Sequence, residues 1–229
     1  MFLPLKDENP TINRPYATVA LIAINVLIYL YSLPMSARGY QIFLFQFGLI
    51  PFEVTHLTEL TPQFSVPILL TPFSSMFLHG GFMHLAGNML YLWIFGNNIE
   101  DYLGPVKFIL FYVVSGLAAA FLFIIFSPSS QIPMVGASGA IAGIMGAYIV
   151  LYPRARIVTL LFLFYFIRLI HVPASVVLGF WFVYQLFMSA AAAGGGGGVA
   201  WLAHVGGFVF GYAWFRFVAA RKRGRILRR

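Results

Sequence analysis

Six long apolar runs constrain the fold of this chain most strongly. A helix that crosses a bilayer needs about 20 mainly apolar residues, and each run reaches or approaches that length. The runs are Tyr16–Leu33, Phe82–Phe95, Val106–Phe126, Ala137–Tyr152, Ala174–Met188 and Val199–Ala219. Since 61% of the 229 residues are hydrophobic and only 9% are charged, a water-soluble domain would be unable to bury so much apolar surface.

The runs predict an all-α membrane protein, built as one six-transmembrane-helix bundle over residues 16–219. A cytoplasmic N-terminal tail (1–15) and a basic cytoplasmic C-terminal tail (220–229) flank the bundle. The segment from Pro34 to Leu70 forms a long first outer loop, and its apolar residues predict that it is associated with the membrane. The apolar stretch Ile157–Ile167 is too short to span a bilayer, so we expect it to lie in the membrane interface before the fifth helix.

Positive charge predicts the orientation of the bundle. The net charge is +8, and six basic residues crowd the C-terminal end: Arg221, Lys222, Arg223, Arg225, Arg228 and Arg229. With both termini in the cytoplasm, thirteen of the 14 lysines and arginines lie on the inner side and only Arg38 lies outside, in agreement with the positive-inside rule. A basic tail beside a membrane helix favours contact with anionic lipid headgroups over nucleic-acid binding. We expect a multi-pass protein of a prokaryotic plasma membrane.

Four polar residues in the predicted spans invite a functional interpretation, because polar groups that face lipid are costly. His84 and Asn88 are four residues apart and therefore share one face of the second helix. Ser138 opens the fourth helix, and His204 lies in the sixth. Counting from the inner helix ends puts His84, Ser138 and His204 at one depth, roughly 20–24 Å from those ends. Because the fourth helix is short, we expect its N-terminus to open into a recess that holds water.

These side chains suit acyl-transfer chemistry. A serine hydroxyl becomes a good nucleophile when a neighbouring base takes its proton, and a neutral histidine is such a base near neutral pH. Ser138 and His204 are therefore the predicted catalytic pair. The N–H groups of Ala137 and Ser138 at the helix N-terminus, with the side chains of His84 and Asn88, form the predicted oxyanion hole.

The acidic residues and the absence of cysteine limit the mechanism further. All six acidic residues fall in predicted tails or loops: Asp7, Glu8, Glu53, Glu59, Glu100 and Asp101. We therefore predict a Ser–His dyad without an acidic third member, in which packing orients the imidazole. The chain has no cysteine, which excludes thiolate chemistry and Cys-based metal sites, and we expect neither a metal nor a cofactor.

Two glycine pairs predict how the helices that carry the dyad meet. Gly139 and Gly143 are four residues apart on the fourth helix, and Gly207 and Gly211 have the same spacing on the sixth. Small residues at this spacing let helix backbones approach closely. A close approach is what a short serine side chain needs to reach a histidine on another helix.

At these residues the sequence resembles the rhomboid family of intramembrane serine proteases. The resemblance runs from about Tyr16 to Ala219, in the family's usual order. The matching pieces are Gly136-Ala137-Ser138-Gly139, Ala203-His204-Val205-Gly206-Gly207 through Gly211, His79-Gly80-Gly81-Phe82-Met83-His84 with Asn88, and Phe47-Gly48-Leu49-Ile50-Pro51. The resemblance implies a serine endopeptidase that cleaves single-span transmembrane proteins near the outer face. It also implies that His79 supports the fold without being catalytic.

The resemblance further implies lateral substrate entry between the second and fifth helices, where the fifth carries bulky side chains: Phe180, Trp181, Phe182 and Tyr184.

Two departures from the family pattern stand out. Many relatives have Trp-Arg before the second helix, where this chain has Pro67-Ile68-Leu69-Leu70. Many also stack an aromatic residue on the catalytic histidine from the position of Ala142, so another side chain has to pack against His204 here. A monomer is expected to suffice for catalysis.

Two other classes of protein fit parts of the pattern. One is a catalytically silent rhomboid relative that binds membrane proteins or acts in their quality control, although such relatives typically lack the serine or the histidine. The other is a small transporter, channel or metal protein built on His79, His84 and His204. The predicted spans contain no carboxylates and no H-E-x-x-H motif, which disfavours metal chemistry.

Overall fold

The computed structural model describes residues 2–60, 66–163, 166–192 and 200–226 and is predominantly helical, at 69%. Within these residues the strands are β1 (Phe2–Asp7), β2 (Arg156–Leu163) and β3 (Phe166–Pro173). The α-helices are α1 (Tyr16–Ser32), α2 (Ala37–Phe47), α3 (Pro51–His56), α4 (Thr71–Ser74), α5 (Phe82–Leu103), α6 (Pro105–Phe126), α7 (Ser138–Leu151), α8 (Ala174–Ala192) and α9 (Trp201–Ile226).

Each of the six predicted apolar runs coincides with one of the long helices. The bounds of α1, α6 and α7 lie within one residue of the predicted runs. Helix α5 continues past Phe95 to Leu103, because nothing interrupts the helix until Gly104 adopts a φ of +78°. Helix α9 likewise extends to Ile226, so the start of the predicted basic tail prolongs the helix, while residues 227–229 lie outside the described part of the chain.

Length and apolar composition support membrane insertion to different degrees in different helices. Among the described residues, Pro105–Phe126 and Ala174–Ala191 are both long and apolar enough to cross a bilayer. Tyr16–Ser32 and Ser138–Leu151 are apolar but shorter. Helix α7 has 14 residues and is therefore about 21 Å long, which is less than the thickness of about 30 Å of a bilayer core. The number of spans stays a prediction.

The prediction of an all-α protein is wrong in one region. Strands β1, β2 and β3 form an antiparallel sheet in that order, with Leu3 opposite Leu160 and Leu160 opposite Leu169. The described residues of the stretch Ile157–Ile167 therefore belong to the paired strands β2 and β3, which lie between α7 and α8 in the chain. The β-branched and aromatic residues of this stretch favour strands, a preference that hydropathy alone does not reveal.

Residues 2–15, which belong to the predicted N-terminal tail, are held against the C-terminal end of α5. The carboxylate of Glu100 accepts hydrogen bonds from the backbone N–H groups of Ala17 (2.8 Å) and Thr18 (2.7 Å), and so caps α1. Asp101 accepts one from the N–H of Ile12 at 3.0 Å. The prediction that every acidic residue lies in a tail or loop is wrong for Glu100 and Asp101, because α5 extends beyond its apolar part.

The predicted first outer loop contains two of the short helices. The Ser36 side chain caps α2 by accepting a hydrogen bond from the N–H of Gly39 at 3.2 Å. Leu49 and Ile50, between α2 and α3, are fully buried. Glu53 lies in α3 and not in a loop, and its carboxylate accepts from the N–H of Leu60 at 2.7 Å. Residues 61–65 are outside the described part of the chain, and membrane association of the segment stays a prediction.

Helix α7 forms the centre of the core. Every residue from Gly139 to Tyr148 is buried, and α7 packs against α5, α6, α8 and, most extensively, α9. At the α7–α9 crossing, a Cβ placed on Gly207 or Gly211 would overlap the carbonyl oxygens of Gly139 and Gly143, respectively. The two glycine pairs therefore face each other, and the backbones of the helices that carry Ser138 and His204 are in direct contact.

Candidate active site

Ser138 is the first residue of α7, immediately after Ala137 at the N-cap. The first hydrogen bond of the helix runs from the N–H of Ile141 to the carbonyl oxygen of Ala137, at 3.0 Å. The backbone N–H groups of Ala137, Ser138, Gly139 and Ala140 therefore have no acceptor within the helix. Such a helix end stabilises a negative charge that lies close to it.

Gly136 brings the start of α7 close to α5. Its φ of +125° lies in the region that favours glycine, so a side chain at this position would strain the backbone. A Cβ at Gly136 would also lie 2.8 Å from the His84 ring and 3.5 Å from Nδ2 of Asn88. The missing side chain thus lets His84 and Asn88 approach the N-terminus of α7.

The segment before Ser138 is fixed by backbone pairing with the first outer loop. Leu49 and Met134 exchange two hydrogen bonds, at 3.0 and 2.8 Å. The N–H of Gly136 donates to the carbonyl oxygen of Ser75 at 2.9 Å. The buried Leu49–Ile50 pair therefore has a structural role, because its pairing with Met134 anchors the segment that leads into Ser138.

His204 lies in α9 and its imidazole reaches Ser138 across the glycine-lined crossing. The Nε2 atom of His204 is 2.8 Å from Oγ of Ser138, a hydrogen-bonding distance. The structure therefore brings the two predicted catalytic side chains together, from separate helices. This distance is that expected between a nucleophile and its general base.

The other imidazole nitrogen has a partner that the sequence analysis does not predict. Nδ1 of His204 lies 2.8 Å from Oε1 of Gln185, which comes from α8 and is 3% exposed. The signal that would have found it is the single amide between Tyr184 and Leu186, in a helix that is otherwise almost entirely apolar. The third member of this hydrogen-bonded row is thus an amide and not a carboxylate.

Two tryptophans take the place of the aromatic residue missing at Ala142. The Trp181 ring lies 5.9 Å from the His204 ring, with 36° between their planes. Trp201 meets the His204 ring edge-on at 6.1 Å and 90°. Ala142 itself is fully buried in the core of the bundle. The imidazole is therefore packed from α8 and from its own helix.

His84 and Asn88 lie on the face of α5 that points to the start of α7. The Asn88 amide nitrogen donates to Nε2 of His79 at 2.9 Å, which fixes the orientation of the amide. The rings of His79 and His84 meet edge-on with centroids 5.1 Å apart. His79 is 3% exposed, and its carbonyl oxygen accepts a hydrogen bond from the Tyr40 hydroxyl. The structure thus groups His84 and Asn88 near Ser138. His79 contacts both of these residues but does not line the cavity with them.

A cavity of about 880 Å³ joins these groups, and its lining includes His84, Asn88, Gly136, Ser138 and His204. Its volume is within the range of small-molecule and peptide-chain pockets. A metal centre that includes His204 is disfavoured, because both of its ring nitrogens are engaged with Gln185 and Ser138. The arrangement suits acyl transfer more than metal binding.

Comparisons with known proteins identify the family of the chain. A family model described as the rhomboid domain matches residues 68–221. The chain is 31% identical over 211 residues to Rhomboid protein 1, mitochondrial, of Saccharomyces cerevisiae. This alignment covers 89% of this chain and 54% of the yeast protein. It is 29% identical over 151 residues to Rhomboid protease AarA of Providencia stuartii, covering 58% of this chain and 50% of that protein.

A shorter match of 43% identity over 79 residues relates the chain to Rhomboid protease GluP of Bacillus subtilis, with 34% of this chain and 14% of that protein covered. The chain thus spans about half the length, or less, of these relatives. The relatives are bacterial and mitochondrial proteins, so the compartment stays a prediction. Because the family model matches more than half of the residues, the chain belongs to the rhomboid family and is an integral membrane protein.

Proposed function

We propose that this chain is an intramembrane serine endopeptidase, with Ser138 as nucleophile and His204 as general base. The observation that carries the proposal is the 2.8 Å contact between Ser138 Oγ and His204 Nε2 at the N-terminus of α7, within a cavity. Family membership supports the reaction class, since two of the relatives bear the name rhomboid protease.

The first half of the reaction forms an acyl-enzyme. His204 Nε2 takes the hydroxyl proton while Ser138 Oγ attacks the carbonyl carbon of the scissile peptide bond. The same imidazole then gives the proton to the leaving amine, and the carbon–nitrogen bond breaks. In the second half, a water molecule gives a proton to His204 Nε2 and its oxygen attacks the ester carbon. The imidazole then returns the proton to Ser138 Oγ as the carbon–Oγ bond breaks, which releases the new carboxyl terminus and restores the hydroxyl.

The tetrahedral intermediates carry a negative oxygen, and the groups around the start of α7 are suited to stabilise it. The free N–H groups at Ala137 and Ser138 supply backbone donors, and the helix dipole adds to their effect. His84 and the second amide hydrogen of Asn88 supply side-chain donors beside Gly136. Donors fixed before the reaction need no reorganisation as the charge develops.

The substrates are single-span transmembrane proteins that enter the cavity sideways between α5 and α8. Six helices cross the bilayer in this proposal: α1, α5, α6, α7, α8 and α9. The excess of lysine and arginine supports an orientation with both termini and the β1–β3 sheet on the inner side. Ser138, at the opposite end of α7 from the sheet, then faces the outer half of the membrane.

Labelling of the purified full chain with a fluorescent fluorophosphonate in detergent micelles tests the proposal. This probe reacts covalently with serines that an adjacent base activates, so the wild type becomes labelled and Ser138→Ala does not. Ser115→Ala is the matched control, since Ser115 is a fully buried serine of α6 outside the dyad, and it labels like the wild type. In proteoliposomes with a fluorogenic single-span substrate, Ser138→Ala lowers the cleavage rate by roughly 10⁶-fold.

Equal labelling of the wild type and Ser138→Ala would remove the nucleophile and refute the proposal. The chain would then be a catalytically silent relative that binds membrane proteins. Labelling without cleavage of any single-span substrate would keep the dyad and reject the substrate class.

A further inference from the structure

We propose that Gln185 is a positioning residue of the Ser138–His204 pair: its side-chain oxygen holds the imidazole proton on Nδ1 and leaves Nε2 free to accept the proton of Ser138. This inference rests on the proposed function. It concerns a residue of α8 that does not touch the reacting atoms and acts through His204.

The surroundings of Gln185 indicate that its amide has a specific task. Gln185 is 3% exposed, whereas Leu186 and Phe187, the next residues of α8, are 44% and 67% exposed. Burying an amide without a hydrogen-bond partner is unfavourable, and an apolar residue at this position would avoid that cost. The contact of 2.8 Å from Oε1 to His204 Nδ1 is the bond that offsets it.

The chemistry of the two groups determines where the imidazole proton lies. A neutral histidine has one N–H donor and one acceptor nitrogen, and a carbonyl oxygen can only accept. Contact with Oε1 therefore places the proton of His204 on Nδ1, so that the lone pair of Nε2 points to Ser138 Oγ at 2.8 Å. In the opposite tautomer Nε2 would carry the proton and would be unable to act as a base.

The same helix contributes a second contact that fixes the plane of the ring. Trp181 precedes Gln185 by four residues and thus lies on the same face of α8, and its ring is 5.9 Å from that of His204. The tryptophan restricts the tilt of the imidazole, and the amide restricts its rotation and its protonation. Because Gln185 is neutral, it orients the ring without placing a charge inside the membrane, where charges are costly.

The magnitude of the effect follows from this division of roles. An acidic third residue both orients the imidazole and stabilises its positive charge, and its conversion to an amide lowered kcat by about 10⁴-fold in a serine protease. An amide supplies the orientation and little of the charge stabilisation. We therefore expect its loss to lower the rate by roughly 10–100-fold, the range found when a group that orients a metal-bound histidine is removed.

Three variants of the full chain separate orientation from other roles. Gln185→Met keeps the length of the side chain and removes the oxygen. Gln185→Asn keeps an amide but shortens the side chain by one methylene, so that the amide no longer reaches His204. Gln185→Glu keeps the length of the side chain and an oxygen that accepts a hydrogen bond from His204. Leu186→Met is the control, because it introduces the same side chain at the neighbouring, bilayer-facing position.

Two rates are measured for each variant, together with the melting temperature in micelles. The first is the rate of fluorophosphonate labelling, which depends on the dyad and not on entry of a helix between α5 and α8. The second is cleavage of a fluorogenic single-span substrate in proteoliposomes, analysed as kcat and KM. Met and Asn at position 185 lower the labelling rate and kcat together by roughly 10–100-fold, with KM and melting temperature close to the wild type. Glu at position 185 restores most of both rates, and Leu186→Met behaves like the wild type.

Each remaining outcome counts against the proposal. Wild-type labelling by Gln185→Met, or a Gln185→Glu variant as slow as Gln185→Met, refutes it while leaving the dyad intact. A change confined to KM assigns Gln185 to substrate entry instead. If Gln185→Met fails to fold, the comparison of the Asn and Glu variants decides. If the wild type itself is not labelled, the proposed function fails and this inference fails with it.

Discussion

The polar groups at the two ends of α7 differ in whether they are hydrogen-bonded to one another or face a cavity. At its C-terminal end, which we term the closed end, the Tyr148 hydroxyl donates to Oδ2 of Asp7 at 2.9 Å and Asn98 donates to the same oxygen at 2.6 Å. The three side chains are buried and bonded to one another. At the N-terminal, open end, Ser138 and His204 line a cavity of about 880 Å³, beside backbone donors that have no partner in the helix.

The contrast indicates what each set of polar residues does. Groups that satisfy one another contribute to stability, and their loss leaves a buried partner unpaired. Donors directed into a cavity contribute little to stability until a charged ligand or transition state arrives. In the proposed function, stability and catalysis thus depend on opposite ends of one helix, separated by the buried stretch Gly139–Tyr148.

A pair of asparagines on α5 tests the comparison with the largest expected effect. Asn88 lies at the open end and Asn98 at the closed end of the same helix. Asn88→Ala removes a donor of the proposed oxyanion hole, so we expect kcat to fall by roughly 10²–10³-fold with little change in melting temperature. Asn98→Ala leaves Asp7 without one of its donors, which lowers the stability by roughly 1–3 kcal/mol and leaves kcat unchanged.

Cleavage kinetics in proteoliposomes and thermal unfolding in micelles measure the two effects on the same preparations. His84→Ala is expected to behave like Asn88→Ala, because both side chains lie beside Gly136. A wild-type rate in Asn88→Ala would assign this residue to the support of His79, its hydrogen-bond partner, and not to the oxyanion hole.

The glycine crossing connects the two ends, and its disruption affects both properties. A Cβ at Gly207 would overlap the backbone oxygen of Gly139, so Gly207→Ala forces α7 and α9 apart. We expect a loss of roughly 1–3 kcal/mol in stability and a lower rate of fluorophosphonate labelling, because Ser138 and His204 lie on the two separated helices. Gly179→Ala on α8, where a Cβ meets nothing within 4 Å, is the control and keeps both values. Normal labelling by a folded Gly207→Ala would show that the dyad tolerates a wider crossing.

The proximity of the polar side chains at the open end is the feature that the sequence predicts well. Ser138, His204, His84 and Asn88 stand out because polar residues are rare in apolar helices, and helix periodicity puts the last two on one face. Gln185 satisfies the same criterion but has no motif around it. Its role depends on how α8 is rotated against α9, which is a property of three-dimensional packing and not of spacing along the chain.

The closed end is the part that the sequence predicts poorly. Asp7 is separated from Tyr148 by 141 residues, and no local pattern links them. The strand character of 157–163 and 166–173 depends on pairing with β1 at the other end of the chain. Apolar composition alone fits an interfacial segment equally well, since hydropathy does not distinguish short strands from short apolar helices.

Asp7 also provides the smallest and most specific test, through the pH dependence of stability. Burial raises the pKa of Asp7 above its ordinary value of 3.8, and the hydrogen bonds from Tyr148 and Asn98 oppose this rise only in part. The folded state therefore binds the proton more tightly than the unfolded state does. The stability that protonation of Asp7 contributes is fully present below about pH 3.8, the ordinary pKa. It is lost as the pH rises through the higher pKa of the folded state.

Asp7→Asn removes this titration and keeps an oxygen that accepts from Tyr148 and Asn98. We expect the variant to melt at the wild-type temperature near pH 4 and above it at pH 7, because the amide, unlike the carboxylate, carries no charge to bury. Thermal unfolding in micelles across this pH range measures the difference, and Glu59→Gln, which removes an exposed acid, is the control. A variant less stable than the wild type at pH 7 would mean that the Asp7 charge itself holds the closed end together. In that case the closed end would depend on the negative charge of the Asp7 carboxylate and would not be a neutral hydrogen-bonded cluster. The two ends of α7 would then differ only in how deeply their polar groups are buried.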